Sequence, residues 1–221
     1  MDEPLQNPFA ERVKTNSLPL NILPESPALS PAESPPTPGE RADQIQILDG
    51  EMKLSNIEQV WRAAKLIRQS GLVPPSFRND QQIVIAILRA IELKIPIFQA
   101  LEGMTVIQNK IGIMGDLALA LVQASGELKE IQKTYSGEAG ELTCTVTIQR
   151  KGRKAHEYTF SVAEARAAGI YDRSAVWKSY PRRMTYYRAL GFALRDEFPD
   201  ILKGIKTTEE LADYPENSNA R

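Results

Sequence analysis

The 221-residue sequence carries a single cysteine, Cys144, and a single histidine, His156. One cysteine cannot close an internal disulfide, and no Cys/His cluster has metal-ligand spacing. A reducing, cytoplasmic setting is the expectation that follows. No run of about 18 apolar residues occurs, so no transmembrane helix is expected. The acidic, Pro-rich start lacks the apolar stretch of a secretory signal. There is also no glycine-rich phosphate loop of the Walker type, which argues against ATP-driven chemistry. The core acids stand singly, without the converging carboxylates that a metal-dependent nuclease needs. His156 falls in an expected strand with no evident orienting partner, so a role as general base is not supported. Cys144 lies on the apolar side of the same sheet and reads as a small core hydrophobe. An enzyme is not expected, and no cofactor or metal is implied.

What is present is an uneven distribution of charge. The formal net charge is -1, yet residues 1–60 hold ten acids against four bases. Residues 150–195 hold eleven bases against three acids, Glu157, Glu164 and Asp172. A local excess of that sign is the electrostatic footprint of a polyanion partner.

Nine of the fifteen prolines precede residue 39, with Ser and Glu between them. Such a composition buries too little apolar surface to offset the entropy of ordering, so residues 1–50 read as a disordered arm. From Ser55 the pattern becomes that of a folded core over 51–206, followed by a short helix and polar acidic tail over 207–221. Ser55 and Glu58 have capping-box spacing, and Ile57, Val60, Trp61, Ala64 and Ile67 recur at helical intervals up to Gly71. Asp80 is suited to cap a second helix carrying Ile83, Ala86, Ile87, Ala90 and Leu93, which Pro96 ends or interrupts. Met104–Gln108 and Ile111–Met114 flank Asn109-Lys110 as a hairpin. Asp116 opens a short apolar helix closed by Ser125-Gly126. Leu142, Cys144, Val146 and Ile148 alternate with polar residues, the period of a half-buried strand. Its neighbours are expected to be Glu127–Tyr135 and His156–Phe160. Ser161 and Glu164 form another capping box. Pro181 suits the first turn of a long helix that Pro199 stops. Thr207 and Glu210 cap a last short helix. The sum is an α+β fold, an antiparallel meander and hairpins packed with helices, preceded by the Pro-rich arm.

The chemistry concentrates between Tyr171 and Phe198, where bases and aromatics interleave. No acid lies between Asp172 and Asp196, so six bases there lack local partners. Arg188 and Arg195 are seven residues apart and should share one face of the helix, about 10 Å apart along its axis. Arg182 and Arg183 open the helix, where backbone N–H groups also favour phosphate. Tyr187, Leu190, Leu194 and Phe198 form a separate stripe that reads as core, leaving the arginines outward. Arg is suited to phosphate because its planar fork donates two parallel hydrogen bonds. Lys178 adds to this surface, and the turn Arg150-Lys151-Gly152-Arg153-Lys154 adds four charges on a short reach. Trp177 and Tyr180 are candidates either for stacking on bases or for anchoring the core.

The string Trp177-Lys-Ser-Tyr-Pro-Arg-Arg-Met184, with Arg188-Ala189, Arg195 and Phe198, resembles the signature segment of the Redβ/RecT family of phage-type single-strand annealing proteins. Leu93-Lys-Ile-Pro96, the helix after Asp116, Thr143-Cys-Thr-Val and Arg150-Lys-Gly-Arg extend the resemblance over roughly residues 55–205. The resemblance implies an ATP-independent protein that coats single-stranded DNA and anneals complementary strands in homologous recombination and DNA repair. It implies assembly as a ring or helical filament, with the DNA in a basic groove. Arg182, Arg183, Arg188 and Arg195 stand where the family contacts the DNA backbone, and Lys151 and Arg153 carry over with them. A phage exonuclease and the host single-strand-binding protein are the partners implied. Larger members reach those partners through a further C-terminal domain, where this chain has its short acidic tail. The Pro-rich extension is not part of the family core. The residues alone also allow a non-annealing single-stranded nucleic-acid-binding protein or a phage protein-interaction module.

Overall fold

The computed structural model describes residues 45–213. Residues 1–44 and 214–221 lie outside the described residues, and with them most of the expected arm and the end of the tail. The C-terminal boundary of that arm shifts. Strands β1 (Gln46–Leu48) and β2 (Glu51–Lys53) pair antiparallel. Asp49 and Gly50 join them at φ 53° and 77°, the two-residue turn that Asp-Gly favours. Residues 46–50 are therefore hairpin rather than arm.

Two helices follow, each one residue out of step with its expected cap. Helix α1 (Ile57–Gln69) is capped by Asn56, whose side chain accepts from Gln59 N at 2.9 Å, while Ser55 N donates to Gln59 Oε1 at 2.6 Å. Helix α2 (Asp80–Leu93) repeats the device: Asn79 accepts from Gln82 N at 2.9 Å and Arg78 N donates to Gln82 Oε1 at 2.6 Å. Asn is among the strongest N-cap residues, and glutamine three positions on reciprocates. Ser55 and Asp80 lose the capping role to Asn56 and Asn79. The expected apolar set of α2 is buried throughout.

Pro96 does not simply end α2. Lys94 closes that helix in the left-handed conformation, and Pro96 then leads into α3 (Ile97–Gly103). Strands β3 (Met104–Ile107) and β4 (Lys110–Ile113) form the expected hairpin, with the turn one residue earlier than expected, on Gln108 and Asn109 at φ 51° and 60°. Helix α4 (Gly115–Ala124) follows. The meander is β5 (Leu128–Ser136), β6 (Thr143–Arg150) and β7 (Ala155–Ser161), antiparallel with β6 in the centre. Its register sets Tyr135, Cys144 and Phe160 in one row, Lys133, Val146 and Tyr158 in the next, and Ile131, Ile148 and His156 in the third. Cys144, Val146 and Ile148 are fully buried.

Helix α5 (Val162–Ala167) carries the expected capping box of Ser161 and Glu164. After the short α6 (Ala175–Ser179), the long α7 (Pro181–Glu197) lies across β6 and β7 and buries Ala189, Leu190, Ala193 and Leu194 completely. Pro199, expected only as a stop, begins α8 (Pro199–Leu202). Strand β8 (Lys206–Thr207) then pairs parallel with β4, and Thr207 caps α9 (Thr208–Leu211). Leu211 is 3% exposed, and a Cβ on Gly112 would lie 2.7 Å from its Cδ1. The last short helix is thus part of the packed core.

Candidate nucleic-acid interface

The direction of α7 on the sheet determines which basic residues can act together. At its N-terminal end, Tyr135 Oη donates to Arg182 O at 3.1 Å. At its C-terminal end, Arg150 donates to Glu197 O at 3.0 Å, and His156 Nδ1 lies 2.5 Å from Glu197 Oε1. Seventeen helical residues separate the two ends, a length of about 25 Å at 1.5 Å per residue. The basic surface expected from the sequence is accordingly two clusters, one at each end of the sheet.

The first cluster opens α7. Arg182 and Arg183 are exposed, and Tyr180 is 63% exposed. Tyr180 gives the helix no side-chain cap, so the first-turn amides add their partial positive charge to the guanidiniums. An open cleft of about 520 Å³ lies here, lined by Tyr180, Pro181, Arg182, Arg183, Glu138 and Leu142 among others. Neither arginine has a carboxylate partner among the described residues. Each instead rests on a tyrosine: Arg182 lies 5.2 Å from the Tyr135 ring centroid and Arg183 5.0 Å from that of Tyr187. Arg183 also donates to Tyr187 Oη at 3.1 Å. Lys133 Nζ stands 4.4 Å from the ring of Tyr186, whose centroid is 5.3 Å from that of Tyr187. Burial, with Cys144 next, pushes the Tyr135 hydroxyl above its ordinary value, so it remains a protonated donor. Burial likewise raises the Cys144 thiol and keeps it uncharged.

The second cluster is the β6–β7 turn. Lys151, Arg153 and Lys154 are exposed around Gly152, which has φ +76° and open space beside it. Arg153 Nη1 lies 3.9 Å from Glu197 Oε2. Arg150 is not part of this surface. It binds Asp200 through both Nη atoms at 2.6 and 2.8 Å, reaches Glu127 at 3.5 Å, and stacks on Phe198. Its guanidinium holds the Asp200 carboxyl down at about 2. Burial would raise the Glu197 carboxyl, but hydrogen bonds from His156 and Tyr158 outweigh it and hold the group below its ordinary value. His156 thus has a buried carboxylate partner that the sequence did not reveal, because Glu197 lies 41 residues away.

Arg188 and Arg195 depart most from expectation. Arg188 is 6% exposed and donates through both Nη atoms to Asp213, at 2.7 Å from Nη2 to Oδ1. Arg195 pairs with Glu210. Both therefore clamp the α9 segment onto α7, Arg188 from a buried position and Arg195 from a half-exposed one, since acids from residue 210 onward supply the partners absent between 172 and 196. Trp177 is 2% exposed and packs against Phe160 and Tyr171 at centroid distances of 6.2 and 6.1 Å. It anchors the core, whereas Tyr180 is exposed. Lys178 lies 3.4 Å from Asp172, with both side chains exposed. Lys133, Tyr135 and Tyr186 were not singled out from the sequence. The available signal was a lysine and a tyrosine two positions apart on β5, hence on the same face.

Among the described residues no group of three or more His, Cys, Asp or Glu is arranged to hold a metal ion, and no helix is long and apolar enough to cross a membrane. Compared with known proteins, the chain matches no family model, no curated protein and no solved structure.

Proposed function

We propose that this protein binds single-stranded DNA and anneals complementary strands without ATP, as a homo-oligomer acting in phage-type recombination inside the cell. The observation that carries this is the cleft at the start of α7, where two exposed arginines without carboxylate partners among the described residues line the same opening as an exposed tyrosine. Phosphate contacts of this kind neutralise the repulsion between strands and leave base edges free to pair. Tyr180 adds an aromatic face that accepts any base. The exposed Lys151, Arg153 and Lys154 form a second contact at the far end of the sheet. A strand long enough to meet both, on one subunit or on neighbours in an oligomer, gains avidity from individually weak contacts. A phage exonuclease and the host single-strand-binding protein are partners of this reading.

The test mixes two complementary fluorescent oligonucleotides without ATP and follows duplex formation. The parent accelerates it, and the double variant Arg182→Ala/Arg183→Ala loses most of that acceleration. Loss of two phosphate contacts also makes the salt dependence of binding shallower by about 1.4 in log–log slope, at roughly 0.7 per phosphate on single strands. Protection of single strands with no faster pairing would reduce the function to non-annealing binding. Negligible binding at low salt would leave a protein-interaction module.

A further inference from the structure

We infer that the single strand runs from the α7 cleft along the edge strand β5, over a row of tyrosine-supported cations in which Lys133, Tyr135 and Tyr186 join Arg182 and Arg183. This rests on the DNA-binding reading above and goes beyond it by assigning the path and three residues.

The row consists of two runs of contacts, brought together by Lys133 and Tyr135 two positions apart on β5. Arg182 rests on Tyr135, Lys133 rests on Tyr186, Tyr186 contacts Tyr187, and Arg183 rests on Tyr187. Lys133 and Tyr135 share one face of β5 and lie in adjacent rows of the sheet, opposite Val146 and Cys144. Among the described residues strand β5 pairs only with β6, so its outer side is an edge there. The cations there have no carboxylate partner among the described residues, whereas Arg150, Arg188 and Arg195 are all paired with acids. Cations left unpaired beside paired ones mark the surface where an external anion is the available partner.

Stacking is compatible with that role. A guanidinium lying on a ring uses its face and keeps N–H donors at its edge. The tyrosine also fixes the side chain in advance, which lowers the entropy lost when phosphate binds. The paired arginines lack this freedom: reaching Arg188 requires first displacing Asp213.

Anisotropy titrations of the full-length protein with a fluorescein-labelled oligothymidylate, repeated over a salt series, test the path. Lys133→Ala should make the slope shallower by about 0.7. Tyr135→Leu should weaken binding roughly two- to fivefold, the range of an exposed cation–π contact, while Tyr135→Phe retains the ring and stays near the parent. Thermal melts identify any tyrosine variant that fails to fold. Lys133, being exposed, carries the test in that case. Parental affinity and slope in Lys133→Ala, together with lost binding in Arg182→Ala/Arg183→Ala, would overturn the path and leave the function standing. Unchanged binding in both would overturn the function as well.

Discussion

Arg188 and Arg195 each meet an acid contributed by the segment after residue 206, and the two pairs differ in burial. Arg188 is 6% exposed and its Nε finds no acceptor among the described residues, while Asp213 is 41% exposed. Removing the acid leaves a buried guanidinium without its main partner, a loss of about 1–3 kcal/mol for an unsatisfied buried group. Asp213→Ala should lower stability by that order in urea melts. Arg188→Met should be milder, because the apolar side chain fills the space and Asp213 can turn to water. On the proposed strand path, Arg188→Met also leaves the salt slope of DNA binding unchanged. The same residue-scale logic separates Trp177 from Tyr180: three residues apart, one is enclosed by Phe160 and Tyr171 and the other faces the cleft.

At the scale of elements, local chemistry accounts for most boundaries. The Ser161/Glu164 box and Pro181 in the first turn of α7 follow from short-range rules and stand where the sequence put them, while the β3–β4 turn keeps Asn109 but falls one residue earlier, on Gln108-Asn109. The capping positions of α1 and α2 move by one residue because Ser55 and Asp80 adjoin Asn56 and Asn79, and competing caps differ by little energy. Strand β8 was not legible at all. Two residues carry no periodicity, and its pairing with β4 depends on contacts some 94 positions apart. Helix α3 was missed because Pro96 reads equally as a stop or as a start. Its packing supplies a test. A Cβ on Gly103 would lie 2.3 Å from Leu117 Cδ2 and 2.8 Å from Leu117 Cβ, so Gly103→Ala forces α3 and α4 apart. Overpacking of this kind typically costs about 1–3 kcal/mol, to be read as a lowered melting temperature.

For the whole molecule, buried and paired carboxylates give stability opposing dependences on pH. Asp200 and Glu197 have folded-state values below the ordinary carboxylate value. Their contribution is present above that value and is lost as pH falls through the folded ones, down to about 2 for Asp200. Burial raises Glu209 and Glu210 instead. Their contribution is present at low pH and is lost as pH rises through the folded values. Asp200→Asn should therefore flatten the acid side of a melting-temperature profile. Glu209→Gln should raise the melting temperature more near neutral pH than at about pH 4, because only the ionised carboxyl suffers from burial. Equal shifts at both pH values would contradict this assignment.

The sequence by itself determined the α+β class, the meander with its buried alternation, the long Pro-initiated helix, and the placement of positive charge in the last third of the described fold. These follow from periodicity, turn chemistry and composition, which act over a few residues. The availability of each charge was decided only by tertiary structure. Acids 15 to 50 residues away in sequence neutralise Arg150, Arg188 and Arg195. The β5 tyrosine and lysine, together with Tyr186 and Tyr187, arrange the charges left at the start of α7. An ion pair depends on distance in space, and spacing along the chain does not encode it.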